Sequence, residues 1–328
     1  MKRIQTRNII TAGIAAFFGA IFLTSCASTK MIQKSNPPQG QFQTVNGTKL
    51  HYIDTGANAD GLAGPTPIVL IHGASANLLD MKLALGDRLA KQRRIIMVDR
   101  PGHGYSQRPE NGYLLSEQTR LINGLLNSLG IQEPIVLGQS FGGAVALNYA
   151  LEYPDALSGL LLVAPVSHSW PGGGVDSYHS AATAPVLGPL FLRTAIPIVK
   201  ATRGEEIAKG SFKPQGAPEN YYEKAGVELV FRPGNFKANS EDLLHLHDQI
   251  LTQQTRYGAI KVPTKIIAGT DDKSVYPEIH SENLNKEIPN SEYILMQGIG
   301  HPLHHFAQDE IEMLIGKIDA QIGSSPTR

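Results

Sequence analysis

With 328 residues, 41% apolar and 18% charged, the chain can bury a large core, as one α/β domain with an insertion or as two domains of ordinary size. Lys and Arg together number 29, as do Asp and Glu, so there is no basic excess to neutralise phosphates and nucleic acid is excluded as a partner. The eleven histidines are scattered without structural-zinc spacing, and the single cysteine, Cys26, rules out an internal disulfide.

Lys2, Arg3 and Arg7 precede the uncharged stretch Ile9 to Leu23, which is too short and too rich in glycine and alanine for a comfortable membrane span and reads as a secretory signal. It ends in Leu23-Thr24-Ser25-Cys26, which resembles the bacterial lipobox: a branched apolar residue, two small residues and an obligatory cysteine. That resemblance implies removal of residues 1–25 and lipidation of Cys26, which tethers the protein to a membrane instead of threading it through one. Ala27 stands where some bacteria place an inner-membrane retention Asp, which points to the periplasmic face of the outer membrane if the organism has two. Cleavage leaves 26 basic against 29 acidic residues. Residues 26–41, with Lys30, Lys34, Pro37, Pro38 and Gly40, read as a polar spacer between lipid and fold.

The spacing from Gln43 to Ile53 predicts a β-hairpin turning at Asn46-Gly47, an antiparallel edge. After a Gly/Ala/Pro-rich loop, Pro67 to Ile71 is a short continuous apolar run of the kind buried on both faces of a parallel sheet, and it runs into His72-Gly73-Ala74-Ser75. A helix is expected over Leu83 to Lys91, a strand over Arg94 to Val98 and a helix over Leu115 to Leu129, stopped by Gly130. Strands follow at 134–138 and 159–163. This alternation predicts right-handed βαβ crossovers and an open, mostly parallel sheet with helices on both faces. The pattern breaks between residues 167 and 259, where the loop-like Trp170-Pro171-Gly172-Gly173-Gly174 leads into helical segments interrupted by Pro and Gly. This stretch reads as a mainly helical cap inserted into a core of residues 42–166 and 260–324. The sheet resumes at 264–269 and 293–296, and a helix from Asp309 to Ile322 closes the chain.

Within this frame the run from Pro134 to Gly143 carries the chemistry. An apolar strand ends in Gly138-Gln139-Ser140-Phe141-Gly142 and opens into a helix, so Ser140 sits at a strained strand-to-helix corner that has no room for side chains at 138 and 142. The corner lifts the hydroxyl above the sheet and points the backbone N–H of Phe141, at a helix N-terminus, toward developing negative charge. A serine hydroxyl needs a base, and histidine, with a pKa near ~6.5, suits the task once another group orients it. Asp272 and His301 each follow a predicted strand at its carboxyl end, where open α/β sheets bind ligands. Trp170, Tyr105, Phe191, Tyr221, Tyr222 and Phe231 are candidates for an acyl or aromatic pocket. His72 and His103 read as loop residues bonded to backbone. His304 and His305 follow His301 too closely to be independent ligands and flank the last helix.

From about residue 43 to 320 the chain resembles the α/β-hydrolase superfamily, in its serine-nucleophile, esterase and haloperoxidase-like branch. The resemblance rests on five ordered motifs: His72-Gly73, Asp99-Arg100-Pro101-Gly102-His103-Gly104-Tyr105-Ser106, the elbow at Ser140, Gly269-x-x-Asp272, and Gly300-His301. It implies a Ser140-Asp272-His301 triad, favours Asp272 over Asp271, and assigns the second oxyanion donor to the N–H of Ala74. Serine at the elbow argues against the haloalkane dehalogenase and epoxide hydrolase branches, which resemble the chain but carry aspartate there. The implied reaction is hydrolysis of a small or medium carboxylic ester through an acyl-enzyme, with no metal or organic cofactor. Carbon–carbon bond hydrolysis and cofactor-free perhydrolysis use the same triad. A reading of another class is a surface lipoprotein that binds a partner or lipid.

Overall fold

The computed structural model describes residues 19, 22, 24–56, 64–171 and 175–324. Most of the signal segment, the centre of the Gly/Ala/Pro-rich loop and Gly172 to Gly174 lie outside them. Among the described residues no helix is long and apolar enough to cross a membrane. Residues 24–35, which take in the end of the expected signal and part of the spacer expected over 26–41, form a helix, α1. Its Ile32 is 2% exposed, and the following Asn36 donates to Glu228 of the cap, so apolar burial and a polar tie hold it against the fold.

β1 (Gln41–Val45) and β2 (Thr48–Asp54) pair antiparallel across a turn in which Asn46 and Gly47 have φ of 49° and 81°, the left-handed conformations such a two-residue turn requires. The parallel strands are β3 (Ile68–Ile71), β4 (Ile95–Val98), β5 (Ile135–Gln139), β6 (Gly159–Val163), β7 (Thr264–Gly269) and β8 (Ser291–Met296). They lie with the hairpin in one sheet of order β1-β2-β4-β3-β5-β6-β7-β8.

The central strands β3 to β6 are buried at every position, and almost wholly apolar, because both faces are covered. Ile95 and Met97 face a layer built on α2 (Leu78–Met81), its helical continuation to Leu89, and the last helix, α10 (Gln308–Ser324). Ile96 and Val98 face the opposite layer, built on α3 (Leu115–Ser128) and α4 (Phe141–Glu152). α2 starts five residues before the predicted helix because Asn77 caps it, its side chain accepting from the N–H of Leu79 at 2.8 Å.

Between β6 and β7 the chain forms α5 (Ser177–Thr183), α6 (Gly188–Gly210), α7 (Tyr221–Lys224) and α8 (Pro233–Gln253), with a small apolar centre of Leu192, Ile196, Phe231 and Phe236. The short α9 (Ser281–Glu287), which the sequence reading left unassigned, joins β7 to β8. Strand order reverses between β3 and β5, and the register Ile71↔Gly138 sets the loop after β3 beside the corner after β5. A crevice at the carboxyl ends follows from that reversal.

Candidate active site

Ser140 adopts φ 54° and ψ −118°, a conformation that works against a non-glycine residue by about 1–3 kcal/mol. Its backbone is held from both sides: its N–H donates to Val163 O at 3.0 Å, and its carbonyl accepts from Gly143 and Val166 at 2.9 and 3.1 Å. The flanking glycines answer a packing requirement. A Cβ on Gly138 would lie 2.2 Å from Gly142 O, and one on Gly142 would lie 2.2 Å from Ile71 O.

The corner delivers Ser140 Oγ to within 2.9 Å of His301 Nε2, and His301 Nδ1 lies 2.7 Å from Asp272 Oδ2. Asp272 is 1% exposed, and its other oxygen accepts from the N–H groups of Ser274 and Val275, both at 2.8 Å. The imidazole proton therefore belongs on Nδ1, facing the carboxylate, and Nε2 presents its lone pair to the serine O–H. Asp271 instead accepts from the Thr270 hydroxyl.

Phe141 opens α4, so its N–H is one of the first-turn donors without an intrahelical partner. The loop with Ala74 lies against Ser140: a Cβ on Gly73 would stand 3.1 Å from Ser140 Cβ. Arg100, fully buried, fixes that loop by donating to the carbonyls of His72 and Gly73, both at 3.1 Å, and its guanidinium sits 4.2 Å from the centre of the Phe141 ring. One cation thus touches the peptide that carries the Ala74 N–H and the side chain of Phe141. Its role was legible only as part of a motif. His72 behaves as expected, with Nδ1 on Gly73 O and Nε2 accepting from the Arg100 N–H.

His103 departs from expectation: its Nε2 lies 2.9 Å from Asp242, because the cap helix α8 brings that carboxylate down onto the core. Asp242 is fully buried and also pairs with Arg100 at 2.6 Å and Arg108 at 2.7 Å. Burial alone would raise its pKa, but these neighbours hold it well below the usual carboxylate range. Asn239, one turn earlier on α8, accepts from the Ser75 N–H at 2.7 Å.

His304 and His305 flank the last helix, as expected, in a turn over Leu303–His305, and they make a contact that the sequence does not reveal. Both turn onto Asp80, a residue far away in sequence on α2: His304 Nε2 is 3.0 Å from Oδ2, and His305 Nε2 is 2.8 Å from Oδ1. Tyr221 of the cap donates to the same Oδ1 at 2.9 Å. Burial works to raise the Asp80 pKa, yet the two imidazoles bring it well below its ordinary value.

Two cavities meet at Ala74, Ser140 and His301. One, about 650 Å³, reaches under the cap between Phe191, Ala195, Ile196, Val230 and Phe231. The other, about 770 Å³, runs past Trp170, Leu243, Leu246, Tyr276 and Ile279. Among the described residues neither is lined by Lys or Arg. Of the aromatic candidates, Phe191, Tyr221, Phe231 and Trp170 line these cavities, whereas Tyr105 and Tyr222 do not.

A family model described as the alpha/beta hydrolase fold matches residues 66–308. The chain belongs to this family. It is 36% identical over 242 residues to 2-hydroxymuconate semialdehyde hydrolase of Pseudomonas putida, covering 72% of this chain and 80% of that protein. It is 29% identical over 268 residues to Lipase 1 of Psychrobacter immobilis, covering 78% and 76%. Among solved structures, a thermophilic esterase from Thermogutta terrifontis aligns with TM-score 0.61 at 21% identity, covering 87% of this chain and 98% of that one, a likeness of fold. As a member of this α/β-hydrolase family, the chain is a hydrolase.

Proposed function

We propose that the protein is a serine hydrolase that cleaves a neutral carboxylic ester with an apolar group on each side of the scissile bond. The observation that carries this reading is the Ser140–His301–Asp272 chain of contacts placed where two largely apolar cavities join. Ser140 Oγ attacks the carbonyl carbon while His301 Nε2 takes its proton. The oxyanion is met by the N–H groups of Phe141 and Ala74, and Asp272 stabilises the imidazolium. His301 then protonates the departing alcohol, and water repeats the sequence on the acyl-enzyme.

The similarity to 2-hydroxymuconate semialdehyde hydrolase favours carbon–carbon cleavage as a second reading. Such an anionic substrate calls for a cation in its pocket, and the lack of Lys or Arg in the described lining favours the ester. The test is hydrolysis of p-nitrophenyl esters from acetate to palmitate by the parent and by Ser140→Ala. Turnover that disappears in the variant supports the reading. Folded parent that cleaves no ester but cleaves an anionic vinylogous diketone transfers the assignment to carbon–carbon hydrolysis.

We also propose that Cys26 is lipidated and tethers the enzyme in the bacterial envelope, on the strength of the Leu23-Thr24-Ser25-Cys26 pattern. Palmitate labelling should be lost in Cys26→Ala, and labelling that persists overturns the assignment.

A further inference from the structure

The geometry points to a second site in the pocket wall: Asp80, His304 and His305 form a binding site for one divalent transition-metal ion of the zinc class. One ligand atom from each residue lies within 4.8 Å of the other two, and the Nε2 atoms of His304 and His305 stand 3.0 and 2.8 Å from the two carboxylate oxygens, Oδ2 and Oδ1 respectively. A tetrahedral ion with bonds of about 2.0–2.1 Å needs ligand atoms roughly 3.3 Å apart, so the cluster is already near the required size. Two imidazoles and one carboxylate favour Zn²⁺, Co²⁺ or Ni²⁺ over Mg²⁺ and Ca²⁺, which take oxygen ligands.

The surroundings favour a site over an incidental cluster. Asp80 and His304 are 4% and 2% exposed, so both are withdrawn from bulk water. Phe212 and Tyr221 pack edge-on against the His305 ring and restrict its orientation. When Nε2 of either imidazole ligates an ion, its Nδ1 carries the ring proton and the imidazole stays neutral. Asp80, Tyr221 and His304 all line the 650 Å³ cavity, which supplies an entry path and leaves room for a fourth ligand, either water or the Tyr221 hydroxyl.

A bound ion would join the helix following the Ala74 loop to the turn following His301. It would take no part in the serine chemistry, and the proposal stands whether or not the protein cleaves esters. The chemistry requires no bond change beyond tautomer shifts: each Nε2 proton moves to Nδ1 as the nitrogen lone pair turns to the metal.

The test uses the full chain stripped with chelator and titrated calorimetrically with ZnCl₂, alongside His304→Asn, His305→Asn and the double variant. Circular dichroism checks that each is folded, and His245→Asn serves as a control histidine in the cap. One equivalent should bind to the parent and to the control, at least tenfold more weakly to each single variant and not to the double variant. The parent's Tm should rise with zinc concentration while the double variant's stays fixed. Should the variants not fold, Co²⁺ added to the parent must give the intense visible absorption of a tetrahedral, imidazole-ligated ion. Absence of binding or of that spectrum in the parent, or zinc binding that survives in the folded double variant, overturns the site. Ser140→Ala should bind zinc like the parent, which separates this outcome from that of the hydrolase assignment.

Discussion

Replacing Asp272 with Asn should disable the base without dismantling the site. Asp272 Oδ1 accepts two backbone N–H groups, from Ser274 and Val275, while Oδ2 faces His301 Nδ1. An asparagine in the same place must turn its carbonyl oxygen to the two N–H groups, because its NH₂ cannot accept from them. The NH₂ then points at His301 Nδ1 and donates to it, so the ring proton is forced onto Nε2, against the Ser140 hydroxyl 2.9 Å away. Nε2 becomes a donor where catalysis needs an acceptor. Loss of the correct tautomer is worth roughly 10⁴ in kcat, or about 5.5 kcal/mol of transition-state stabilisation. The assay is kcat on the best p-nitrophenyl ester at neutral pH, with circular dichroism and Tm to establish folding. Asp271→Asn is the internal control, since its carboxylate accepts from the Thr270 hydroxyl and not from the His301 ring, and it should leave kcat unchanged. A folded Asp272→Asn enzyme that retains more than about a tenth of the parent's kcat would refute the argument.

Gly142→Ala would place a Cβ 2.2 Å from Ile71 O and 2.7 Å from His72 O, forcing α4 away from β3. It should destabilise the fold by about 3 kcal/mol or more in thermal unfolding, whereas Gly316→Ala, with nothing within 4 Å of the added carbon, should not. Burial, reinforced by Arg100 for His103 and by His168 for His280, pushes both imidazoles down to about 4. An unfolded histidine takes up its proton near ~6.5, so the unfolded chain binds more protons between those values and stability falls as pH drops from 6.5 toward 4. Each group contributes on the order of 3 kcal/mol over that range; His103→Gln or His280→Gln should flatten the pH dependence of the urea midpoint, and a midpoint equal at pH 7 and pH 5 in the parent contradicts the assignment. Ala195→Phe fills part of the cavity under the cap and should move the ester optimum to shorter acyl chains; an unmoved optimum would show that the acyl group lies elsewhere.

What the sequence made legible was chemistry carried by neighbouring residues. Gly138-x-Ser140-x-Gly142 after an apolar run specifies the corner because the steric conflict it avoids is local, and the structure shows that conflict directly at both glycines. The strands read well for a similar reason: burial on both faces leaves an apolar run with no alternation to misread. α2 was placed too far along because its start depends on one capping amide, Asn77, rather than on periodicity. α9 has only two buried residues, Ser281 and Leu284, too few to give a helical pattern. His304 and His305 looked redundant beside His301 because spacing carries no information about direction. A helical 3₁₀ turn from Leu303 to His305 turns them away onto Asp80.

The relation between cap and core was the least legible feature, and it bears most on function. Asn239 and Asp242 lie three residues apart, so one face of α8 presents both to the core. The first holds the Ser75 N–H next to Ala74, and the second holds Arg100, which in turn fixes the carbonyls of His72 and Gly73. Tyr221 makes a third tie, through Asp80, to the turn that follows His301. Each tie joins residues more than a hundred positions apart, beyond the reach of any local pattern. Because all three end on segments adjoining the candidate oxyanion donors or the base, the cap does more than enclose a cavity. Its seating sets the positions of the groups on which hydrolysis would depend, and a sequence change that loosens α8 would be felt at the Ala74 loop as well as in the pocket wall that Leu243 and Leu246 supply.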